Sequence, residues 1–245
     1  MSETVLILGA TSAIARATAV AFAARGAALY LASRDLDELE RIAADLRLRH
    51  DVEVCYGVFD AEAVETHEVF FRSVIETMHG ISGVVLAFGY LGDRQAARDF
   101  KVAEKIIASN FTGAASILSH CAEYFEPLQR GFIIGISSVA GDRGRQSNYV
   151  YGAAKGALSL YLQGLRNRLY ASGVRVVTIK PGFVDTAMTY GLPGLFLVAS
   201  PQDIGKRIVA TLEKSADVVY LPWFWRYIML IIKHIPEPLF KRMKL

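Results

Sequence analysis

The 245-residue sequence predicts an α/β protein: a single doubly wound domain (a Rossmann fold) on a parallel sheet of about seven strands. Three observations predict it. Short runs of Val, Ile and Leu alternate with longer helical stretches as far as about residue 221. The short runs lack a polar residue at every second position, as expected of strands covered on both faces. No repeat, low-complexity tract or Gly/Ser linker interrupts the alternation, so strand–helix–strand units join as parallel crossovers in one body.

The first strand is Val5–Leu8, followed by an Ala-rich helix over 13–25 that Gly26 ends as a C-cap. Ala28–Ala32 is the second strand and 35–49 a charged amphipathic helix. Val52–Val58, a helix over 62–78 and Gly83–Phe88 follow. One long helix is expected over 100–126, stopped near Pro127, where the ring cannot continue the ladder. Then come the strand Gly131–Ile136, a helix over 148–171, the strand Val174–Ile179 ended by Pro181-Gly182, a helix over 201–214 and a last strand, Val218–Leu221. Residues 222–245 form an apolar and basic tail to the domain, which spans 1–245.

Composition removes several function classes. A hydrophobic fraction of 53% fills a core on both faces of a sheet, and 21% charged residues with ample aromatics argue against disorder. A net charge of +3 is too small for a nucleic-acid binder. Cys55 and Cys121 form no CxxC pair and read as reduced core thiols, and the five histidines make no HxxxH or HExxH pattern, so no metal site is expected. No basic-led apolar leader and no stretch of ~20 apolar residues is present, which leads to a cytoplasmic expectation.

The chemistry concentrates in Tyr151-Gly152-Ala153-Ala154-Lys155, with Ser138 thirteen residues upstream. A helix puts residues four apart on one face. There an ammonium favours the phenolate and is expected to draw the tyrosine below its usual pKa of ~10, towards proton transfer at neutral pH. Taken alone, the pair also suits a tyrosine beside a solvated lysine on a surface helix.

Ligands of an open α/β sheet sit beyond the carboxyl ends of its strands. The first such turn, Gly9-Ala10-Thr11-Ser12-Ala13-Ile14-Ala15, opens a helix whose N-terminal amides can face a pyrophosphate, and Gly9, Thr11, Ser12 and Ile14 are candidate contacts. Ala13 and Ala15 stand where glycines are usual. The second strand ends in Ser33-Arg34-Asp35. A guanidinium is the natural partner of a 2′-phosphate, so NADP(H) is favoured over NAD(H), while Asp35 can cap the next helix. Asp60 at the third strand end can accept from an adenine amino group or act as an N-cap. Ala87 and Gly89 end the fourth strand, and Pro181, Gly182, Val184 and Thr186 make a rigid turn after the sixth.

These residues, in this order and spacing, resemble the short-chain dehydrogenase/reductases over nearly the whole chain. The specific part is Ser138-x12-Tyr151-x3-Lys155 with Asn110 upstream and Pro181-Gly182 downstream. Leu86-Ala87-Phe88-Gly89 departs from the family's Asn-Asn-Ala-Gly, and the two alanines of the first turn are the other departure; both bear on cofactor contacts rather than on reaction class. The resemblance implies that Tyr151 exchanges the proton, Lys155 holds the nicotinamide ribose and tunes Tyr151, Ser138 fixes the substrate oxygen and Asn110 holds a water. It also implies a homodimer or homotetramer packed through the helices at 100–126 and 148–171. Within the family, Ala87-Phe88-Gly89-Tyr90-Leu91-Gly92-Asp93 and the tail from Tyr220 resemble reductases of the 2-keto form of decaprenylphosphoryl ribose. The substrate expectation is therefore a small-molecule or lipid-linked carbonyl compound. A generic ketone, steroid or acyl-chain reductase is the alternative, and a non-catalytic nucleotide-sensing scaffold the alternative of another class.

The tail pairs Trp223, Phe224, Trp225 and Tyr227 with Ile228–Ile232, and sets Arg226, Lys233, Lys241, Arg242 and Lys244 against Glu237 alone. That composition suits a helix lying in a membrane interface, a slot for a lipid-linked substrate, or a tail packed on the body or a neighbouring subunit.

Overall fold

A computed structural model describes residues 3–92, 99–191 and 196–243. Asp93, Lys244 and Leu245 lie outside the described residues. Seven parallel strands run in the order β3-β2-β1-β4-β5-β6-β7: Thr4–Leu8 (β1), Ala28–Ser33 (β2), Val54–Val58 (β3), Gly83–Leu86 (β4), Phe132–Ile136 (β5), Arg175–Pro181 (β6) and Val218–Leu221 (β7). The order reverses between β1 and β4, and this switch point opens the crevice in which the strand-end turns meet.

The sheet is buried on both faces, and the pleat sorts its side chains. Val5, Ile7, Leu29, Leu31, Val85, Ile134 and Val177 face Ala13–Ala23 (α1), Leu36–His50 (α2) and Pro201–Ala210 (α7). Leu6, Leu8, Val84, Leu86, Ile133 and Val176 face His67–Thr77 (α3), Gly113–Leu128 (α5) and Tyr149–Leu169 (α6). Period 2 along each strand puts alternate residues on opposite layers, which is why the central runs carry apolar residues at consecutive positions.

Helix starts follow local chemistry. Ser12 caps α1 by accepting from the Ala15 amide at 3.3 Å, and Asp35 caps α2 from the Glu38 amide at 3.0 Å. Asp35 therefore takes the capping alternative. Ala13 and Ala15 sit inside α1 with helical backbone, so they need no glycine freedom.

Three expectations are corrected. The single helix over 100–126 is two helices, Phe100–Ile107 (α4) and α5, joined by a π-turn over Ala108–Thr112. Pro127 lies in the last turn of α5, which ends one residue later, before Gln129 at φ +54°. There the proline forfeits one bond without breaking the body of the helix. The helix over 62–78 opens with a 3₁₀ turn at Val64–Thr66 before α3. The tail folds into Trp225–His234 (α8) and Glu237–Phe240 (α9).

Candidate functional site

Eight of the candidate cofactor residues line one crevice of about 290 Å³ at the switch point: Gly9, Thr11, Ser12, Ser33, Arg34, Asp60, Ala87 and Gly89. Gly9 has φ +81°, and a Cβ there would stand 2.7 Å from the Phe88 amide nitrogen, so only glycine lets the two strand-end turns approach this closely. The Thr11 and Ser33 hydroxyls lie 2.9 Å apart. Arg34 is exposed beside them and, among the described residues, has no carboxylate partner. One Asp60 oxygen accepts from the Glu62 amide at 3.0 Å, which closes a turn rather than capping α3. A narrow cradle, the α1 N-terminus, paired hydroxyls and a free guanidinium together fit a dinucleotide phosphate chain.

Ser138, Tyr151 and Lys155 come together beside this crevice. Ser138 ends the extended segment after β5, and its Oγ accepts from the Ala140 amide at 3.1 Å, opening a 3₁₀ turn over Val139–Asp142. That turn lies directly on α6: a Cβ at Gly141 would stand 2.7 Å from the Gly156 amide nitrogen. The close approach brings the Ser138 hydroxyl beside the Tyr151 hydroxyl, near enough to act on its titration. Lys155, one turn on and only 3% exposed, donates to the Ile136 carbonyl at 3.1 Å, lies 3.5 Å from the Phe88 carbonyl and sits 5.9 Å from the Tyr151 ring centroid.

The electrostatics correct the expected direction for the tyrosine. Burial pushes the Tyr151 phenol up to about 12 although the neighbouring Ser138 hydroxyl pulls it down. Burial also draws the Lys155 ammonium down to about 8. Desolvation disfavours the charged form of both groups, and the ammonium is aimed at main-chain carbonyls rather than at the phenol oxygen. Ser137, the neighbouring serine, serves the scaffold: its Oγ donates to the Lys155 carbonyl at 2.8 Å.

Asn110 is fully buried in the π-turn, a local distortion common at functional sites. Its Nδ2 donates to the Tyr90 carbonyl at 2.7 Å and the Ile106 carbonyl at 2.8 Å, while its Oδ1 accepts from the Tyr90 amide at 3.2 Å. Both donor hydrogens are thus used to hold the segment after β4.

The remaining candidates do not line the crevice. Ile14 packs against the α1-side core. Pro181 ends β6, and the turn at Gly182 lies flat against the Trp225 indole with no room for a Cβ. Val184 is buried and bridges Ala199, while the Thr186 amide donates to Thr189 Oγ1 at 3.2 Å. The segment after β6 instead reaches the crevice through Met188. Sequence reasoning missed Phe59, Ala61, Tyr90, Lys105 and Ser109, which also line it. Phe59 stands next to Asp60, and the strand-end rule applied one residue earlier finds it; Lys105 comes from the last turn of α4 and Ser109 from the π-turn that follows.

A family model described as short chain dehydrogenase matches residues 3–193. A Mycobacterium tuberculosis protein named as an uncharacterized oxidoreductase is 35% identical over 240 residues, which cover 98% of this chain and 96% of that protein. A Streptomyces coelicolor protein of the same designation is 34% identical, with shares of 98% and 96%. Among solved structures, a Sphingobium yanoikuyae short-chain dehydrogenase in complex with NADPH superimposes with a TM-score of 0.81 at 25% identity, covering 96% of this chain and 97% of the other. The Thermococcus sibiricus alcohol dehydrogenase complexed with 5-hydroxy-NADP gives 0.81 at 24% identity, covering 90% and 96%, and shows likeness of fold.

Proposed function

Because the chain belongs to the short-chain dehydrogenase/reductase family and is a nicotinamide-dependent oxidoreductase, we propose that it is an NADP(H)-dependent carbonyl reductase whose proton donor is Tyr151. The observation that carries this reading is the convergence of Ser138 and Tyr151 with the buried Lys155 one turn away, at the edge of the crevice.

The bound nicotinamide supplies or takes up the hydride. Ser138 holds the substrate oxygen, and Tyr151 moves a proton at that oxygen. A phenol raised to about 12 is fully protonated at neutral pH, the state needed to protonate a carbonyl as it is reduced. Lys155 has three donor hydrogens and two carbonyl neighbours, which leaves one hydrogen for a ribose hydroxyl. Asn110 braces Tyr90 and keeps a second Oδ1 lone pair for the water that the family pattern assigns to it. Pro181, Gly182, Val184 and Thr186 form the nicotinamide-side turn, shaped from behind by Trp225.

NADP(H) preference is supported by the unpaired Arg34 beside the Thr11–Ser33 hydroxyl pair, with Asp35 committed to capping α2. Arg34→Ala is expected to raise KM for NADPH ~10–100-fold, the worth of one charge-assisted contact, and to leave KM for NADH nearly unchanged. Initial rates with both cofactors check it, using a ketone panel that includes a polyprenyl-phosphate-linked 2-keto sugar. A folded protein that oxidises neither cofactor with any carbonyl compound, and reduces neither with any alcohol, would overturn the reductase reading.

The lipid-linked sugar ketone is favoured by the apolar wall over the substrate side, where the Phe183, Phe196 and Trp225 rings pack at 5.5–5.7 Å. No helix among the described residues is long and apolar enough to cross a membrane. Peripheral contact through 222–245 is supported by α8 and its approach, where Trp223 is 64%, Tyr227 58% and Ile231 68% exposed next to Arg226 and Lys233. Replacing Trp223, Tyr227 and Ile231 together with Ser is expected to abolish co-sedimentation with anionic liposomes; unchanged partition would remove the interfacial reading. A homodimer or homotetramer through α4–α6 is supported by exposed Phe100, Ile107 and Leu160 on those helices.

A further inference from the structure

The segment between Ser138 and Tyr151 carries three charged residues within four positions, Asp142, Arg143 and Arg145, and all three engage other parts of the fold. Asp142 pairs with Lys180 of β6 and accepts from the Tyr220 hydroxyl at 2.7 Å. The Nη2 of Arg145 lies 3.4 Å from the Met229 sulfur of α8. Arg143 does most. Its Nη1 faces the carbonyls of Ile232, Lys233 and Ile235 at 3.2, 2.8 and 2.8 Å, the open end of α8. Its Nη2 binds Glu237 at 2.8 Å, and its guanidinium stands 4.0 Å over the Phe240 ring of α9.

One side chain therefore joins the carbonyl end of α8, the acid that opens α9 and the ring that closes it. A guanidinium suits this position because its planar fork serves several acceptors while its face lies on an aromatic ring. Last-turn carbonyls without intrahelical partners also carry the negative end of the helix dipole, which a fixed cation offsets. Around this clamp, Val139, the residue after Ser138, packs with Trp225 and Met229 in one apolar cluster. Trp225 is 2% exposed and presses on Gly182, so α8 touches both the serine segment and the turn after β6.

We propose that Arg143 is a positioning residue of the reaction: it holds α8 and α9 against the segment that carries Ser138, keeps the serine hydroxyl beside Tyr151 and makes the tail the outer wall of the carbonyl site. The proposal rests on Ser138 and Tyr151 being the reacting pair. Arg143 touches neither the cofactor crevice nor the reacting atoms and meets the turn after β6 only through Trp225, so its effect falls on the substrate side before it reaches the cofactor.

The test uses the full chain. Arg143→Ala is expected to lower kcat/KM for the carbonyl substrate ~10–100-fold, as a slight misplacement of a reacting group does, while the affinity for NADPH stays unchanged. Its tryptophan emission is expected to shift to the red as Trp225 loosens, Trp223 being exposed already. Arg143→Lys is expected to recover part of the rate, and Phe240→Ala, which leaves every donor in place, to show a smaller loss of the same pattern. A folded Arg143→Ala with unchanged kcat/KM overturns the proposal, as does a loss of NADPH affinity in proportion to the rate. Should Arg143→Ala fail to fold, Phe240→Ala decides by the same two readouts. Tyr151→Phe is run alongside. If it retains turnover, the reading of the reacting pair has failed. If it is inactive while Arg143→Ala matches the native enzyme, the clamp alone has failed.

Discussion

Tyr151→Phe is expected to lower kcat for carbonyl reduction by ~10²–10⁴, the range ascribed to positioned proton transfer, with NADPH affinity retained. The ring is buried among Ile106, Ala140 and Ala154, so phenylalanine refills the same space and only the hydroxyl is lost. Ser138 keeps the hydrogen bond from the Ala140 amide that orients it. The dinucleotide crevice is built from the ends of β1 to β4 and does not include Tyr151. Stopped-flow turnover and an NADPH fluorescence titration on one preparation check both halves. Rates near those of the native protein in the variant would remove Tyr151 from the mechanism. The raised phenol pKa adds a direction. Reduction uses the protonated phenol and loses nothing from this group at neutral pH. Alcohol oxidation needs the phenolate and is expected to speed up as pH rises towards about 12.

Lys155→Met is expected to abolish activity and at the same time stabilise the fold at pH 7, by ~2 kcal/mol. The ammonium is buried against two main-chain carbonyls, and burial brings its pKa from 10.5 to about 8. Because the folded value lies below the unfolded one, the unfolded chain holds more protons between about pH 8 and 10.5. Stability of the native protein should therefore climb across that window. Below about pH 8 both states carry the charge and the desolvation cost is borne in full, roughly 3 kcal/mol before the lost hydrogen bonds are set against it. Methionine fills the slot without a charge and removes the climb. Thermal denaturation of both proteins from pH 6 to 10 checks it; a Tm for the variant below that of the native protein at pH 7 would show that the carbonyl contacts outweigh the cost. Such a residue is kept for its charge at the reaction centre, at the expense of stability.

The architecture was legible because parallel strands covered on both faces must be apolar along their length, as Val5–Leu8, Leu29–Ala32, Val84–Leu86 and Phe132–Ile136 are, while polar residues enter towards the sheet edges at Glu53 and Arg175. Helix ends were legible where a short polar side chain or a glycine stood at the boundary, as at Ser12, Gly26 and Asp35. The π-turn at 108–112 was not, since Ala-Ser-Asn-Phe-Thr carries no breaker. Its extra residue per turn is stabilised from outside, by the Asn110 amide bonding to Tyr90 across twenty positions of chain. Pro127 misled in the opposite sense, because a proline near a helix end removes little.

The pairing of Tyr151 with Lys155 and the Gly9 turn were written in the sequence, because the first depends on spacing within one helix and the second on one backbone conformation, while Ser138 was placed by its spacing upstream of that helix. The sign of the pKa shifts, the isolation of Arg34 and the hold of Arg143 on the tail were decided by tertiary structure alone. Those properties belong to the space between segments up to 97 positions apart, where burial depth and the direction of a side chain set the electrostatics. No local pattern of residues encodes either quantity.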